Sequence, residues 1–274
     1  MTITVTGATG HLGRLVLAEL RRAGRDDVVA AVRDTSQDLG VPSRLADYDR
    51  PETLDFTGTD ALLLISATDI ERRFPQHRAV VDAAVRAGVG LIAYTSITEA
   101  DTTAIPIAPS HKLTEEYIRA SGLPFTFLRN NWYIENYTAN LASTIEHGVL
   151  LGAAREGRIA AATRADFAAA AAAVLAGEGH ANKIYELGGD HAFTLAEVAA
   201  AISARAGREV VYRDLPEDDY AQALIGFGVP EGFARALAAS DAVIAEGGLD
   251  VVTGELSRLI GRPTTTIEEA ILKA

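Results

Sequence analysis

The sequence predicts an α/β protein: a doubly wound parallel sheet with a second, smaller and mostly α-helical C-terminal lobe. Three observations carry this. Short apolar runs of strand character alternate with stretches of helical periodicity through the first half of the chain. A glycine-rich turn joins the first such strand to the first helix. Beyond about residue 134 the texture changes, to an alanine-rich segment and then to helices punctuated by Gly and Pro.

Taken in order, residues 2–6 alternate apolar and β-branched side chains and read as a strand. Leu12, Leu15, Val16 and Leu20 recur at helical spacing, and Gly24 stops that helix. Residues 28–32 are a near-continuous apolar run, as expected of a strand buried on both faces. A short strand ends near Asp47, and Asp49 with Glu52 forms a capping box for a short helix around Leu54. Residues 61–65 are another buried strand; residues 75–87 are a helix ended by Gly88; residues 89–95 are the next strand. Ser110 caps a helix running to Ser121, and residues 125–129 form one more strand. Asp166 caps a helix within residues 160–176, and residues 184–187 return as a strand to the main sheet. Thr194 and Glu197 make a capping box before a helix over 195–206, and residues 209–213 read as a strand. The expected division is 1–133 for the main domain and 134–274 for the lobe, with 159–189 returning to the former.

Composition narrows the function. The 274 residues carry 48% hydrophobic side chains, enough for a large core, and no run approaches a membrane span. The N-terminus runs straight into a strand without the basic and apolar segments of a secretory signal. Cysteine is absent, which excludes disulfides, thiolate catalysis and cysteine-held metals, and fits a cytoplasmic location. Net charge is −12, so the surface repels nucleic acid, and a phosphate site must be a local exception. The six histidines include no close pair, which argues against a metal, and no G-x-S-x-G supports a hydrolase. A homodimer is compatible with the sequence but not specified by it.

In a doubly wound sheet, ligands bind beyond the C-terminal strand ends. The loops placed there are 7–13, 33–35, 66–69, 95–99 and 130–133. The first reads Thr6-Gly7-Ala8-Thr9-Gly10-His11-Leu12-Gly13, a G-x-x-G-x-x-G turn between strand and helix. Following a strand and opening a helix, it reads as a Rossmann-type dinucleotide turn, with an ordinary strand-to-helix turn as the other reading. Gly7 permits the bend, Gly10 admits a pyrophosphate to the backbone, and Gly13 lets helix and strand pack closely. The helix N-terminus adds free N–H groups. At the end of the second strand stands Arg33, followed by Asp34. Arginine there suits the 2′-phosphate of NADP(H), while an acid suits the 2′-hydroxyl of NAD. A solvated strand-end charge is the other reading of Arg33. Asp47 and Tyr48 either flank an adenine or serve as a loop cap and a partly buried ring.

One negative result is firm. The only lysines are Lys112, Lys183 and Lys273, and the residues four before them are Ala108, Gly179 and Glu269. The Tyr-x-x-x-Lys pair that protonates substrate oxygen in ordinary short-chain dehydrogenases is therefore impossible. Either the acceptor takes hydride without strong acid catalysis, as a quinone can because its product is aromatic, or the chain binds a dinucleotide without chemistry.

Several stretches resemble the NmrA-like atypical short-chain dehydrogenases, with the bacterial flavin-free quinone oxidoreductases and the triphenylmethane reductases as the nearest groups. They are residues 6–13 (TGATGHLG), 31–33 (AVR), 62–66 (LLLIS), 75–77 (PQH), 92–96 (IAYTS), 128–133 (LRNNWY), 162–167 (ATRADF) and 259–264 (LIGRPT). The likeness spans nearly the whole chain, and the last few stretches are far narrower than the glycine turn. It implies hydride transfer from NADPH to a quinone between the lobes. Carried over by position, Gly7, Thr9, Gly10, His11, Leu12 and Arg33 meet the pyrophosphate and 2′-phosphate region. Ser66 and Ala67 lie beside the ribose. Thr95 and Ser96 end the strand beneath the nicotinamide. Asn130, Asn131, Trp132 and Tyr133 lie near nicotinamide and acceptor, although the resemblance does not make Asn131 essential. His111 and Lys112 either orient nicotinamide or acceptor, or are polar residues at an exposed helix start. Trp132, Tyr133 and Tyr137 form either an aromatic wall or part of a domain-junction core. Two other functions stay open: an NADP(H)-binding redox sensor without catalysis, and a reductase of cationic dyes or imine-like acceptors.

Overall fold

A computed structural model describes residues 1–274. Its main sheet has seven parallel strands: β1 (Ile3–Thr6), β2 (Val28–Val32), β3 (Ser43–Leu45), β4 (Ala61–Leu64), β5 (Leu91–Ile97), β6 (Phe125–Asn130) and, later in the chain, β8 (Lys183–Leu187). Their spatial order is β3-β2-β1-β4-β5-β6-β8, so the winding reverses between β1 and β4. That reversal opens a crevice above the C-terminal strand ends. Ile65 N–H donates to Thr6 Oγ1 at 3.1 Å across it, tying the two strand ends together.

The strands are apolar on both faces because helices cover both. α1 (His11–Arg22) and the alanine-rich α6 (Arg164–Ala176) pack on one face, with Ile3, Val5, Leu63 and Leu128 beneath them. Alanine is what lets α1 and α6 lie close together. α2 (Arg73–Ala87) and α3 (Ala108–Ala120) cover the other face over Leu62, Leu64, Tyr94 and Phe127. The lobe contains α4 (Glu135–Thr138), α5 (Leu141–His147), β7 (Val149–Gly152), α7 (Leu195–Ala206), β9 (Val211–Asp214), α8 (Glu217–Gly226), α9 (Glu231–Ala245) and α11 (Ile267–Lys273). β7 and β9 make a separate two-stranded parallel ribbon over a core of its own. α10 (Glu255–Ile260) packs back on α6 and β8, so the chain returns to the main sheet a second time.

Three caps differ from the expected ones. Residues 51–53 form a single 3₁₀ turn with no side-chain cap, because the Asp49 carboxylate is taken by Arg72 (3.0 Å) and Gln76 (2.9 Å). Ser110 lies inside the first turn of α3, its hydroxyl bonded to Ile107 O at 2.9 Å. Thr163, not Asp166, caps α6; Asp166 sits three residues further on, buried beneath Arg262. The Thr194–Glu197 box on α7 is present as expected.

Candidate active site

The turn between β1 and α1 has the geometry of an anion cradle. Gly7 adopts φ +59°, which an L side chain rarely tolerates. A Cβ on Gly13 would fall 2.3 Å from Gly7 O and 2.7 Å from Ala8 Cα, so only glycine lets α1 start this close to the strand. Gly10 caps α1 with no side chain, leaving the first-turn N–H groups free beside exposed His11. Leu12 turns inward to the core. Arg14 bridges the cradle to the next loop, donating to Thr9 O at 2.9 Å and to Gln37 Oε1 at 3.0 Å.

Arg33 stands exposed just beyond β2 and makes no hydrogen bond or ion pair with the protein. Asp34 does not compete for it, because its carboxylate accepts Ser36 N–H at 2.9 Å and is held below the usual carboxylate range by that serine. Tyr48 donates to Thr6 Oγ1 at 2.5 Å and also lies 3.3 Å from Ile65 O. Its hydroxyl is thus part of the floor of the crevice. Asp47 is committed locally, to Asp49 N–H and Arg50.

On the far side of the crevice the loop after β4 meets the end of β5 and the N-terminal halves of α2 and α3. Ser66 N–H donates to Thr95 Oγ1 at 2.9 Å, and Ala67 N–H donates to His77 Nε2 at 2.9 Å. His77 Nδ1 then donates to Thr114 Oγ1 at 3.0 Å, since that hydroxyl spends its own proton on Ser110 O. Burial, reinforced by the nearby Arg73 guanidinium, pushes the His77 pKa down to about 3. Arg73 is buried too, donating to Ala67 O at 2.8 Å and to Ser110 Oγ at 3.1 Å. His111 Nδ1 meets Tyr94 OH at 2.7 Å, and burial together with Arg73 and His77 holds its pKa well below the ordinary value. Lys112, by contrast, is exposed and points to Asp101 O at 3.5 Å.

The stretch after β6 divides its side chains. Asn130 Oδ1 is buried and has no partner. Asn131 uses both ends of its amide, accepting Trp132 N–H at 2.6 Å and donating to Leu249 O at 3.1 Å. Both ends of its amide are thereby engaged in fastening the loop. Tyr133 packs edge-on to Phe167, with Arg164 4.4 Å above its ring. Trp132 and Tyr137 lie against the lobe core instead, so the three aromatics do not form one wall. Ser96 turns under the sheet edge and donates to Glu115 Oε1 at 2.6 Å. Glu115 is fully buried and pairs with Arg129 at 2.6 Å, which also reaches Asp101 and Glu186.

The sequence marks His77 only as part of the 75–77 stretch, and gives Arg14 and Arg73 no role. Arg73 and His77 are four apart on α2 and so share a helix face, a spacing that links the two.

A family model described as the NmrA-like family matches residues 1–270. The chain belongs to the NmrA-like family. Quinone oxidoreductase 2 of Escherichia coli is 45% identical, with 98% of this chain and 97% of that protein covered. The crystal structure of that NADPH-dependent quinone oxidoreductase with NADPH superposes with a TM-score of 0.95, at 46% identity over 98% of each chain. Triphenylmethane reductase of Citrobacter sp., solved with NADP(H), gives a TM-score of 0.95 at 37% identity over all of both chains. The glycine turn and the seven-stranded parallel sheet of this NmrA-like chain are therefore those of oxidoreductases.

Proposed function

We propose that this chain is an NADPH-dependent quinone reductase that passes hydride directly to a quinone in the cleft between the sheet edge and the lobe of residues 134–274. The observation that carries this reading is the full-length likeness to a quinone oxidoreductase crystallised with NADPH. Three features of this chain suit the cofactor. The cradle at Gly7, Gly10 and Gly13 has free N–H groups for a pyrophosphate. Arg33 is an unpaired guanidinium where a 2′-phosphate would arrive. The unpartnered Asn130 Oδ1 suits an incoming amide donor such as a carboxamide.

When bound, NADPH supplies the hydride. The protein's part is placement. Thr95 and His77 fix the 66–67 backbone beside the ribose. His111 and Tyr133 border the acceptor, while Asn131 and Lys112 lie outside the reacting space. With no Tyr-x-x-x-Lys pair, rate comes from orientation of the reacting carbons at about 3 to 3.5 Å. No helix is long and apolar enough to cross a membrane, and we assign the enzyme to the cytoplasm, where the cysteine-free sequence fits.

The test mixes the protein with NADPH and a panel of benzoquinones, naphthoquinones and a cationic triphenylmethane dye, followed by NADPH absorbance. Quinone-dependent oxidation well above the enzyme-free rate is expected. Turnover of the dye alone would reassign the acceptor, and tight NADPH binding without turnover would make the chain a sensor.

A further inference from the structure

Arg73 carries a charge that the fold itself does not use. It is 6% exposed, yet no carboxylate lies within 4.0 Å of its guanidinium, and Asp69, which acts on it from further off, is paired with Arg72. Acids are abundant in this chain, 37 against 25 basic residues, and its neighbour Arg72 takes both Asp69 (2.7 Å) and Asp49 (3.0 Å). Of the guanidinium nitrogens, Nε is spent on Ala67 O and Nη1 on Ser110 Oγ. Nη2 has no partner and is absent from the sealed, unsatisfied atoms of the interior, so it opens onto accessible space. A buried cation without an anion is costly, and a fold keeps one where something else brings the negative charge.

Its position says what that is. Arg73 joins the loop after β4 to the first turn of α3, and its charge is felt at Tyr94, at Asp69, whose carboxylate Arg72 already holds at 2.7 Å, and at Tyr133. Arg33 stands beyond β2, two strand spacings from β4, whose following loop Arg73 grips, and hence about 10 Å from that loop along the edge. One phosphate cannot engage both. Arg73 therefore belongs to the reacting end of the crevice.

We propose that Arg73 stabilises the oxyanion formed on the acceptor during hydride transfer, standing in for the absent Tyr-x-x-x-Lys pair. The inference rests on the quinone reductase reading above. The quinone gains one hydride, a proton with two electrons, as a C–H bond of the cofactor breaks. The product is a hydroquinone monoanion, whose oxygen later takes a proton from water. The guanidinium gives up no proton; it supplies charge and an N–H donor, and loses neither over the cycle. It also favours a neutral acceptor that becomes negative over one that is already cationic.

A phenolate probe tests this without turnover. The protein saturated with NADP⁺ is titrated with 4-nitrophenol, and the ionisation of the bound phenol is read from its absorbance against pH. Wild type is expected to lower the pKa of the bound phenol by about 1 to 3 units, as a cation within a few ångströms does. Arg73→Met should abolish the shift and Arg73→Lys keep part of it. Absence of phenol binding, or an unshifted pKa in wild type, overturns the proposal whether or not the variants fold. In turnover, Arg73→Met should lower kcat with a neutral quinone about 100- to 1000-fold, with KM for NADPH changed by less than about threefold. Parallel loss of NADP⁺ affinity and kcat would make Arg73 a cofactor ligand and overturn it as well. A wild type that shifts the phenol but reduces no quinone would sink the quinone reading and leave the oxyanion site standing.

Discussion

Two arginines divide the work at the ends of the crevice, and their surroundings tell them apart. Arg33 is exposed and unpaired, so water screens it until a phosphate arrives. Arg73 is buried, so its charge acts through a poorly screening medium and already depresses two histidines. Different variants should therefore fail differently. Arg33→Ala removes a charge-assisted contact that only the 2′-phosphate makes, so NADPH affinity should fall by about 1 to 3 kcal/mol while NADH affinity hardly changes. Calorimetry with each coenzyme decides it. Equal losses would mean that Arg33 does not read the phosphate. Arg14 sets a limit on the effect, because its bridge from Thr9 O to Gln37 holds the same loop and supplies a second cation nearby.

At the scale of elements, β5, β6, β8 and α3 are joined by the buried Glu115–Arg129 network, with Ser96, Asp101, Arg119 and Glu186 around it. Three carboxylates raise the pKa of Arg129 despite the opposing effect of burial, so it stays charged throughout. Arg129→Met would leave Glu115 buried with only the partly exposed Arg119 for company, and should cost about 3 to 5 kcal/mol. Adding Glu115→Gln should recover part of that loss, since no uncompensated charge then remains. Urea unfolding of both proteins checks this; a loss below about 1 kcal/mol for the single variant would contradict it.

The same elements show what a sequence discloses. The Thr194–Glu197 box, the glycine turn and the strand runs are set by neighbours a few residues apart, and all could be read locally. Asp49 could not: its local pattern suggests a cap, but Arg72 and Gln76, more than twenty residues away, both donate to its Oδ1 and draw the carboxylate to α2. Ser96 was legible as a strand end beside the cofactor loops, but not as the donor to Glu115. Arg73 was the least legible of all. What distinguishes it is the absence of a carboxylate partner, and an absence in space leaves no mark in the chain.

Over the whole molecule these placements make stability depend on pH, with opposing contributions whose sizes decide the outcome. An unfolded histidine takes a proton near pH 6.5, whereas folded His77 takes one only at about 3. Between those values the unfolded chain holds more protons, so stability rises with pH and is lost on acidification. At pH 5 the loss is about 2 kcal/mol for His77, and His111, held down in the same direction by burial, adds to it. Asp241 opposes them. Burial raises its pKa to about 6 even though Ala153 N–H donates to its carboxylate, so its protonation favours the folded state as pH falls. That contribution at pH 5 is only about 1 to 2 kcal/mol. The histidines win, so stability falls between pH 7.5 and pH 5 and the Tm falls with it. Protonating His77 also removes the acceptor for Ala67 N–H, so the loop that carries Ser66 and Ala67, held by Arg73 from α2, should loosen before the sheet does. Thermal melts at the two pH values, with His77→Gln and Asp241→Asn beside wild type, separate the parts. His77→Gln should flatten the acid loss and Asp241→Asn should steepen it, because the opposing carboxylate is gone. A wild-type Tm that holds or rises at pH 5 would show that neither histidine is kept neutral by the fold.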